Sequence, residues 1–186
     1  LAPSSAQEIF YQSILAFNLS ETYRTPVLIM TDEVVGHMSE RVIIPEAKEI
    51  ALMSRPMHKG PKDRFKPFEP GENGVAPMAN AGQGYKIHVT GLTHDERGYP
   101  VMTVEAQVSM MERIMNKFAK NLDKIIKTES HRIEDADIVV VSYGVSARTA
   151  LAAVEDARER GIKAGLLRLI TVWPFPSELI GQLAAR

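Results

Sequence analysis

Apolar positions recur in three different rhythms along the chain, and each rhythm predicts a different kind of structure. Near the start, Ile9, Phe10, Ile14 and Phe17 fall on one face of a helix, and Ser5 with Glu8 just ahead has the spacing of a capping box. Thr25-Pro26 ends that rhythm before the unbroken apolar run Val27-Leu28-Ile29-Met30. The run predicts a strand buried on both faces, as in parallel sheets covered by helices. Thr31-Asp32-Glu33 would then lie at the strand's carboxyl end, the edge at which open α/β sheets bind ligands. From Val104 the spacing alternates between four and three residues through Val108, Met111, Met115, Phe118, Leu122 and Ile125, predicting one helix of about six turns. Its seam is expected to pack on its own subunit, with a partner-facing coiled-coil seam as the alternative. The last rhythm is strand, helix, strand: Ile138-Val139-Val140-Val141, a glycine turn at Gly144, an alanine-rich helix to Arg160 stopped by Gly161, and a second strand over 164–169. Such a unit predicts a right-handed parallel crossover. Trp173-Pro174-Phe175-Pro176 makes a rigid corner, and Ser177 can cap another helix.

Between the first and second rhythms the chain changes character. Residues 54–100 hold six of the eleven prolines and seven of the twelve glycines, so long irregular loops are expected there, and loops of that length in a compact protein tend to be functional or linking. The predicted organisation is therefore residues 1–53 as the end of one α/β domain, 54–102 as connecting loops, 103–130 as a long amphipathic helix, and 131–186 as an incomplete second α/β domain.

Composition narrows the function classes. With 45% hydrophobic and 24% charged residues, a packed core is expected. A net charge of -1 without like-charged blocks gives no field to gather nucleic acid or anionic lipid, and no apolar run reaches the roughly 20 residues that span a bilayer. A cytoplasmic protein is expected. The absence of cysteine excludes disulfides, thiolate-ligated zinc and a thiolate-held iron–sulfur cluster in this chain. A first residue other than methionine, and a last residue soon after a helix start, read as a piece of a longer protein.

Three places carry candidate chemistry. The Gly144-Val145-Ser146-Ala147-Arg148 turn leads from strand to helix, where free amides could hold a phosphate, but it has neither the three spaced glycines of a dinucleotide site nor a phosphate-loop lysine. An ordinary tight turn is favoured. Asp32-Glu33 with His37 could do acid–base or metal work, yet His37 has no ligand partner at helical spacing and the other histidines stand singly, so a helix start or salt bridge is favoured and no metal site is expected. Gly91-Leu92-Thr93-His94-Asp95-Glu96-Arg97-Gly98 is the densest polar cluster, and His94 beside a carboxylate could polarise a carbonyl or orient a substrate carboxylate, while a solvated turn is equally open.

Two stretches are more specific than these. The run Arg24-Thr25-Pro26-Val27-Leu28-Ile29-Met30-Thr31-Asp32-Glu33-Val34-Val35-Gly36-His37-Met38, with Ala2-Pro3-Ser4-Ser5 and Gln7-Glu8 before it, resembles the end of the pyrimidine-binding domain in alpha subunits of 2-oxoacid:ferredoxin oxidoreductases of the 2-oxoglutarate type. The tail from Ala136 to Leu179, notably Gly165-Leu166-Leu167-Arg168-Leu169-Ile170-Thr171-Val172-Trp173-Pro174-Phe175-Pro176, resembles the transketolase C-terminal-like domain that follows it, and Gly91–Gly98 resembles a histidine–aspartate–glutamate loop between them. The fold class implied is α/β: the end of a thiamine-diphosphate-binding (pyrimidine) fold, then a transketolase C-terminal-like parallel-sheet domain.

The resemblance implies a thiamine diphosphate enzyme that decarboxylates a 2-oxoacid oxidatively, passes the acyl group to coenzyme A and sends electrons through iron–sulfur clusters to ferredoxin. The family's Tyr-Pro-Ile-Thr-Pro segment and activating glutamate are expected before Leu1, and its diphosphate and magnesium motif on a beta subunit. Iron–sulfur clusters are expected on other subunits. No catalytic residue is therefore assigned within this chain, which should not turn over substrate alone, and no residue is assigned to the thiamine cofactor. Thr93, His94 and Asp95 are the residues expected nearest the substrate or coenzyme A. Two other classes of protein remain: a stand-alone phosphate- or nucleotide-binding α/β module built on the Gly144 turn, and a non-catalytic segment that docks to a partner subunit through its methionine-lined helix.

Overall fold

In the computed structural model, which describes residues 1–185, the chain forms two compact units. The first is made of Leu1–Phe17, Val27–Leu52 and Asp123–Arg186, the second of Asn18–Pro26 and Met53–Leu122.

The first unit is built on a three-stranded sheet in the order β1-β3-β2, with β1 at Thr128–His131, β2 at Ile138–Tyr143 and β3 at Ala164–Leu169. β3 pairs in parallel with β2, from Ile138 opposite Ala164 to Tyr143 opposite Leu169. β1 pairs with β3 antiparallel, so the expected parallel sheet is mixed at one edge. The central position explains why all six residues of β3 are buried, Leu167 completely. Helix α5, Gly144–Glu159, joins β2 to β3 and lays Val154, Ala150 and Ala157 against Ala164 and Leu166. Small alanines bring the helix close to the strand. β2 is far less covered, with Ile138 and Tyr143 more than half exposed.

Helix α1 runs from Ala6 to Tyr23. Ser5 caps it as expected, its hydroxyl accepting from the Glu8 amide at 3.2 Å. The Glu8 carboxylate does not return to Ser5; it accepts from the amide and hydroxyl of Ser4 and forms a two-pronged ion pair with Arg168 of β3. Val27–Met30 is not a strand, and Leu28 and Met30 are exposed rather than buried. The run is extended and exchanges two hydrogen bonds with Leu1, whose next amide, at Ala2, goes instead to the Ile170 carbonyl. With one residue as neighbour the ladder has no length, which is why the expected first sheet is missing. Asp32 then precedes the short helix α2, Glu33–His37.

The second unit is mostly irregular, as the proline and glycine density predicts, and α3, Val104–Ala119, is its only long helical stretch of its own among the described residues. Thr103 caps α3 by accepting from the Ala106 amide. Loop carbonyls that lack a sheet partner must find donors elsewhere. Side chains of α3 and the residues just after it supply several: Arg113 donates to Phe68 at 2.6 Å, Lys120 to Glu72 at 3.1 Å and Asn121 to Asn73 at 2.9 Å. Phe65 packs with His58 and Tyr85, ring centroids 5.0 and 5.2 Å away.

The predicted six-turn helix is interrupted. α3 stops at Ala119 and a single turn, α4, follows at Leu122–Ile125, because buried Asn121 turns its amide group onto the Lys117 carbonyl at 2.7 Å and ends the ladder. Within this chain the first part of the seam is uncovered, Val104, Val108, Met111 and Met115 being 44–74% exposed, while Ile125 at its far end is buried. The less exposed side of α3 is the one carrying Met110, Arg113, Ile114 and Lys117, which line a cavity.

Candidate functional site

Thr93, His94 and Asp95 lie on one arm of a tight hairpin in the second unit. The Val101 amide donates to the Thr93 carbonyl at 2.9 Å, Asp95 to Tyr99 at 3.0 Å, and Gly98 back to Asp95 at 3.0 Å. Gly98 turns the chain with φ +87°, buried against the His88 carbonyl and the Phe68 ring, in a space that admits no Cβ.

The three candidates have different fates there. Asp95 holds the turn itself: its carboxylate accepts from the amides of Arg97 and Tyr99 and from two nitrogens of the Arg97 guanidinium, at 2.8–3.0 Å. The hydrogen bonds from Arg97 hold its carboxyl below the usual range. That carboxylate is therefore turned to Arg97 and away from His94, contrary to the pairing expected from their adjacency. The Thr93 hydroxyl donates to the Gln107 side chain. His94 bonds through Nδ1 to the Asp95 carbonyl at 2.8 Å, and because a carbonyl only accepts, Nδ1 carries the proton and Nε2 is left as the available nitrogen. Its ring lies 4.0 Å from that of Phe68.

His94 opens onto a cavity of about 310 Å³ whose walls include Arg24, Phe68, Met110, Arg113 and Lys117, all from the same unit. Arg24 follows α1 directly, with φ +48°. Arg113 and Lys117 are one turn apart on α3, and both guanidinium groups sit over the Phe68 ring, at 4.9 Å for Arg24 and 5.8 Å for Arg113. Each cation is held by backbone carbonyls: Arg24 by Pro67 and Ala76, Arg113 by Phe68, and Lys117 by Arg24 at 3.2 Å. None of the three is in an ion pair among the described residues. Burial, and then neighbouring positive charge, push two pKa values down, that of Arg24 beside Arg113 and Arg55 and that of Lys117 beside Arg24 and Arg113; burial lowers that of Arg113, with Glu96 partly opposing it. This trio is not among the residues the sequence singles out, although the four-residue spacing of Arg113 and Lys117 on a face shared with Met110 and Ile114 is a signal for it.

The other candidates resolve differently. At the Gly144 turn, the Asp32 carboxylate accepts from the Val145 amide at 2.7 Å and fills the space beside the Gly144 α-carbon. A carboxylate already occupies the place a phosphate would take, so the turn is a capped helix start. Arg148 pairs with Glu40 at 2.7 Å. In a cavity of the first unit of about 220 Å³, the cations Arg148 and Arg168 are matched by carboxylates, and His131 hydrogen-bonds to Glu155. Among the described residues no cluster of three histidine, aspartate or glutamate side chains is disposed to hold a metal ion, and no helix is long and apolar enough to cross a membrane.

A family model described as pyruvate flavodoxin/ferredoxin oxidoreductase, thiamine diphosphate binding, matches residues 1–113. The chain belongs to this oxidoreductase family. A second model, pyruvate:ferredoxin oxidoreductase core domain II, matches residues 136–186, so the two α/β parts occur in the expected order. The chain is 47% identical over its full length to the 2-oxoglutarate synthase subunit KorA of Methanocaldococcus jannaschii, covering 50% of that protein. It is 35% identical to the ketoisovalerate oxidoreductase subunit VorB of Methanothermobacter thermautotrophicus, over 99% of this chain and 45% of that one. The chain thus spans about half the length of the curated relatives it matches. Its fold superimposes with a TM-score of 0.91 on a 2-oxoglutarate:ferredoxin oxidoreductase from Magnetococcus marinus with 2-oxoglutarate, coenzyme A and succinyl-CoA bound, at 23% identity, covering all of this chain and 32% of that one.

Proposed function

We propose that this chain is part of the alpha subunit of a thiamine diphosphate-dependent 2-oxoacid:ferredoxin oxidoreductase of the 2-oxoglutarate type. The reaction is oxidative decarboxylation: carbon dioxide leaves the 2-oxoacid, the acyl group passes to the coenzyme A thiol, and two electrons go singly to ferredoxin. The observation that carries this reading is the 47% identity to a 2-oxoglutarate synthase subunit along the whole chain, against 35% to a ketoisovalerate oxidoreductase subunit.

The residues present fit only part of the cofactor equipment. No described cluster suits magnesium, and a chain without cysteine offers no thiolate for an iron–sulfur cluster. In this reading a beta subunit holds the magnesium and the diphosphate, other subunits hold the clusters, and the complex works in the cytoplasm. Thiamine diphosphate supplies the carbanion chemistry when bound. What this chain's own residues contribute is positioning. The Thr93–Asp95 hairpin lies near the substrate or coenzyme A, with His94 lining the cavity, Asp95 fixing the turn and Thr93 tying it to α3. The exposed apolar seam of α3 supports assembly with a partner subunit.

The test is dye reduction by the complete complex. Viologen reduction should require both coenzyme A and a 2-oxoacid, with 2-oxoglutarate giving a higher kcat/KM than pyruvate or 2-oxoisovalerate. A preference for a branched 2-oxoacid would reject the substrate assignment, and inactivity with all of them would reject the enzyme.

A further inference from the structure

We propose that the cavity between Arg24, Arg113 and Lys117 is an anion subsite that takes a phosphate group of coenzyme A. The assignment rests on the oxidoreductase reading above and names the part of the co-substrate that this chain holds.

Three observations support it. Three half-buried cations gathered on one cavity without ion-pair partners are costly to maintain, since desolvation disfavours each charge and neighbouring positive charge adds to this for Arg24 and Lys117. A cavity of the first unit shows the ordinary alternative, in which Arg148 and Arg168 each have an acid. A bound anion would supply the missing countercharge.

The backbone also bends to put Arg24 there. It occupies the residue after α1 in the left-handed conformation, φ +48°, where glycine is the usual occupant because a side chain is strained there. A strained position occupied by a long cation is a pointer to a use for that cation.

The chemistry of the cavity selects phosphate over carboxylate. A phosphate group offers three acceptor oxygens and up to two charges to two guanidinium groups and an ammonium, whereas a carboxylate offers two oxygens and one charge. The apolar Phe68, Met110 and Ile114 walls lower the local dielectric and so strengthen those bonds. At about 310 Å³ the cavity is at the lower end of the roughly 300–1,000 Å³ usual for ligand pockets, so it accommodates a phosphate with the neighbouring part of a nucleotide and not the entire co-substrate.

The experiment uses the complete complex carrying Lys117→Gln, Arg113→Gln or Lys117→Arg, with Lys120→Gln as a control outside the cavity. Binding of adenosine 3′,5′-bisphosphate is measured by calorimetry, and KM values for coenzyme A and 2-oxoglutarate are measured separately. Loss of one charge-assisted hydrogen bond should weaken the bisphosphate and raise the coenzyme A KM by about tenfold to a hundredfold in each glutamine variant. The 2-oxoglutarate KM should move less than about twofold, and Lys117→Arg should recover most of the loss. A rise confined to the 2-oxoglutarate KM would mean that the anion is the substrate carboxylate and would overturn the proposal. So would unchanged binding in both glutamine variants, or no binding of the bisphosphate by the unsubstituted complex. If the complex turned over no 2-oxoacid, the functional reading would fall, while bisphosphate binding and its loss in Lys117→Gln would still establish a phosphate subsite.

Discussion

Replacing Gly98 by alanine tests whether the His94 hairpin is built as described. Two separate costs follow from the structure. The first is conformational: at φ +87° a Cβ costs roughly 1–2 kcal/mol. The second is steric, because the new methyl would overlap the His88 carbonyl oxygen and come within 3.0 Å of the carbonyl carbon and of Phe68 Cε2. Neither neighbour yields easily, since His88 contributes backbone and Phe68 is held between Arg24, Arg113 and His94. Overpacking of this kind costs about 1–3 kcal/mol, for a total near 2–5 kcal/mol. Gly82 separates the two terms, having φ +82° with nothing near its Cβ direction, so Gly82→Ala should cost only the conformational part. The assay is hydrogen exchange with mass spectrometry on the complete protein, following the amides of Asp95 and Val101 that close the hairpin. Gly98→Ala should speed their exchange by about thirtyfold or more, equivalent to about 2 kcal/mol, while Gly82→Ala leaves them unchanged. Equal and small effects of the two substitutions on their own loops would refute the close approach of Gly98 to His88.

Other consequences can be checked in the same way. Burial works against ionisation of Glu8, but hydrogen bonds from Arg168 and Ser4 with the Arg168 charge prevail and hold its carboxyl below the usual 4.5. Its contribution to stability is therefore present above pH 4.5 and lost as pH falls through the depressed value, so acid unfolding of Glu8→Gln should be shallower than that of the parent below pH 4.5; parallel curves would count against the pair. Asp32→Ala removes the carboxylate that caps α5 and should cost about 1 kcal/mol, read as faster exchange of the Val145 amide, with Asp32→Asn losing less. Met111→Lys on the exposed seam should change the stability of the isolated chain by less than about 0.5 kcal/mol while weakening assembly of the complex in sedimentation; a loss above about 1.5 kcal/mol would show that the seam packs internally.

Local rules carried the reading of the tail. Strand, glycine turn, alanine helix and strand are specified by neighbours in sequence, and β2, α5 and β3 formed where the pattern placed them. The same rules misjudged Val27–Met30, because burial of an apolar run depends on a partner strand, and among the described residues the run's backbone bonds to Leu1 and not to a strand. They also misjudged the face of α3. The apolar seam was read as inward, yet the helix turns Arg113 and Lys117 inward, since the loops it supports offer unpaired carbonyls and need donors more than methyl groups. Asp32 shows a third limit: its carboxylate sits at the start of α2 in sequence and caps α5 in space, a pairing across 113 residues that no local pattern encodes. The hairpin candidates were legible as a polar cluster, whereas the cations beside His94 come from segments far apart in the chain.

The most direct test of the account is product stoichiometry in the complete complex. With 2-oxoglutarate, coenzyme A and oxidised ferredoxin, one carbon dioxide, one succinyl-CoA and two reduced ferredoxins should appear together, and omission of coenzyme A should stop acyl transfer. Formation of free succinate semialdehyde without electron transfer, or no consumption of 2-oxoglutarate at all, would contradict it.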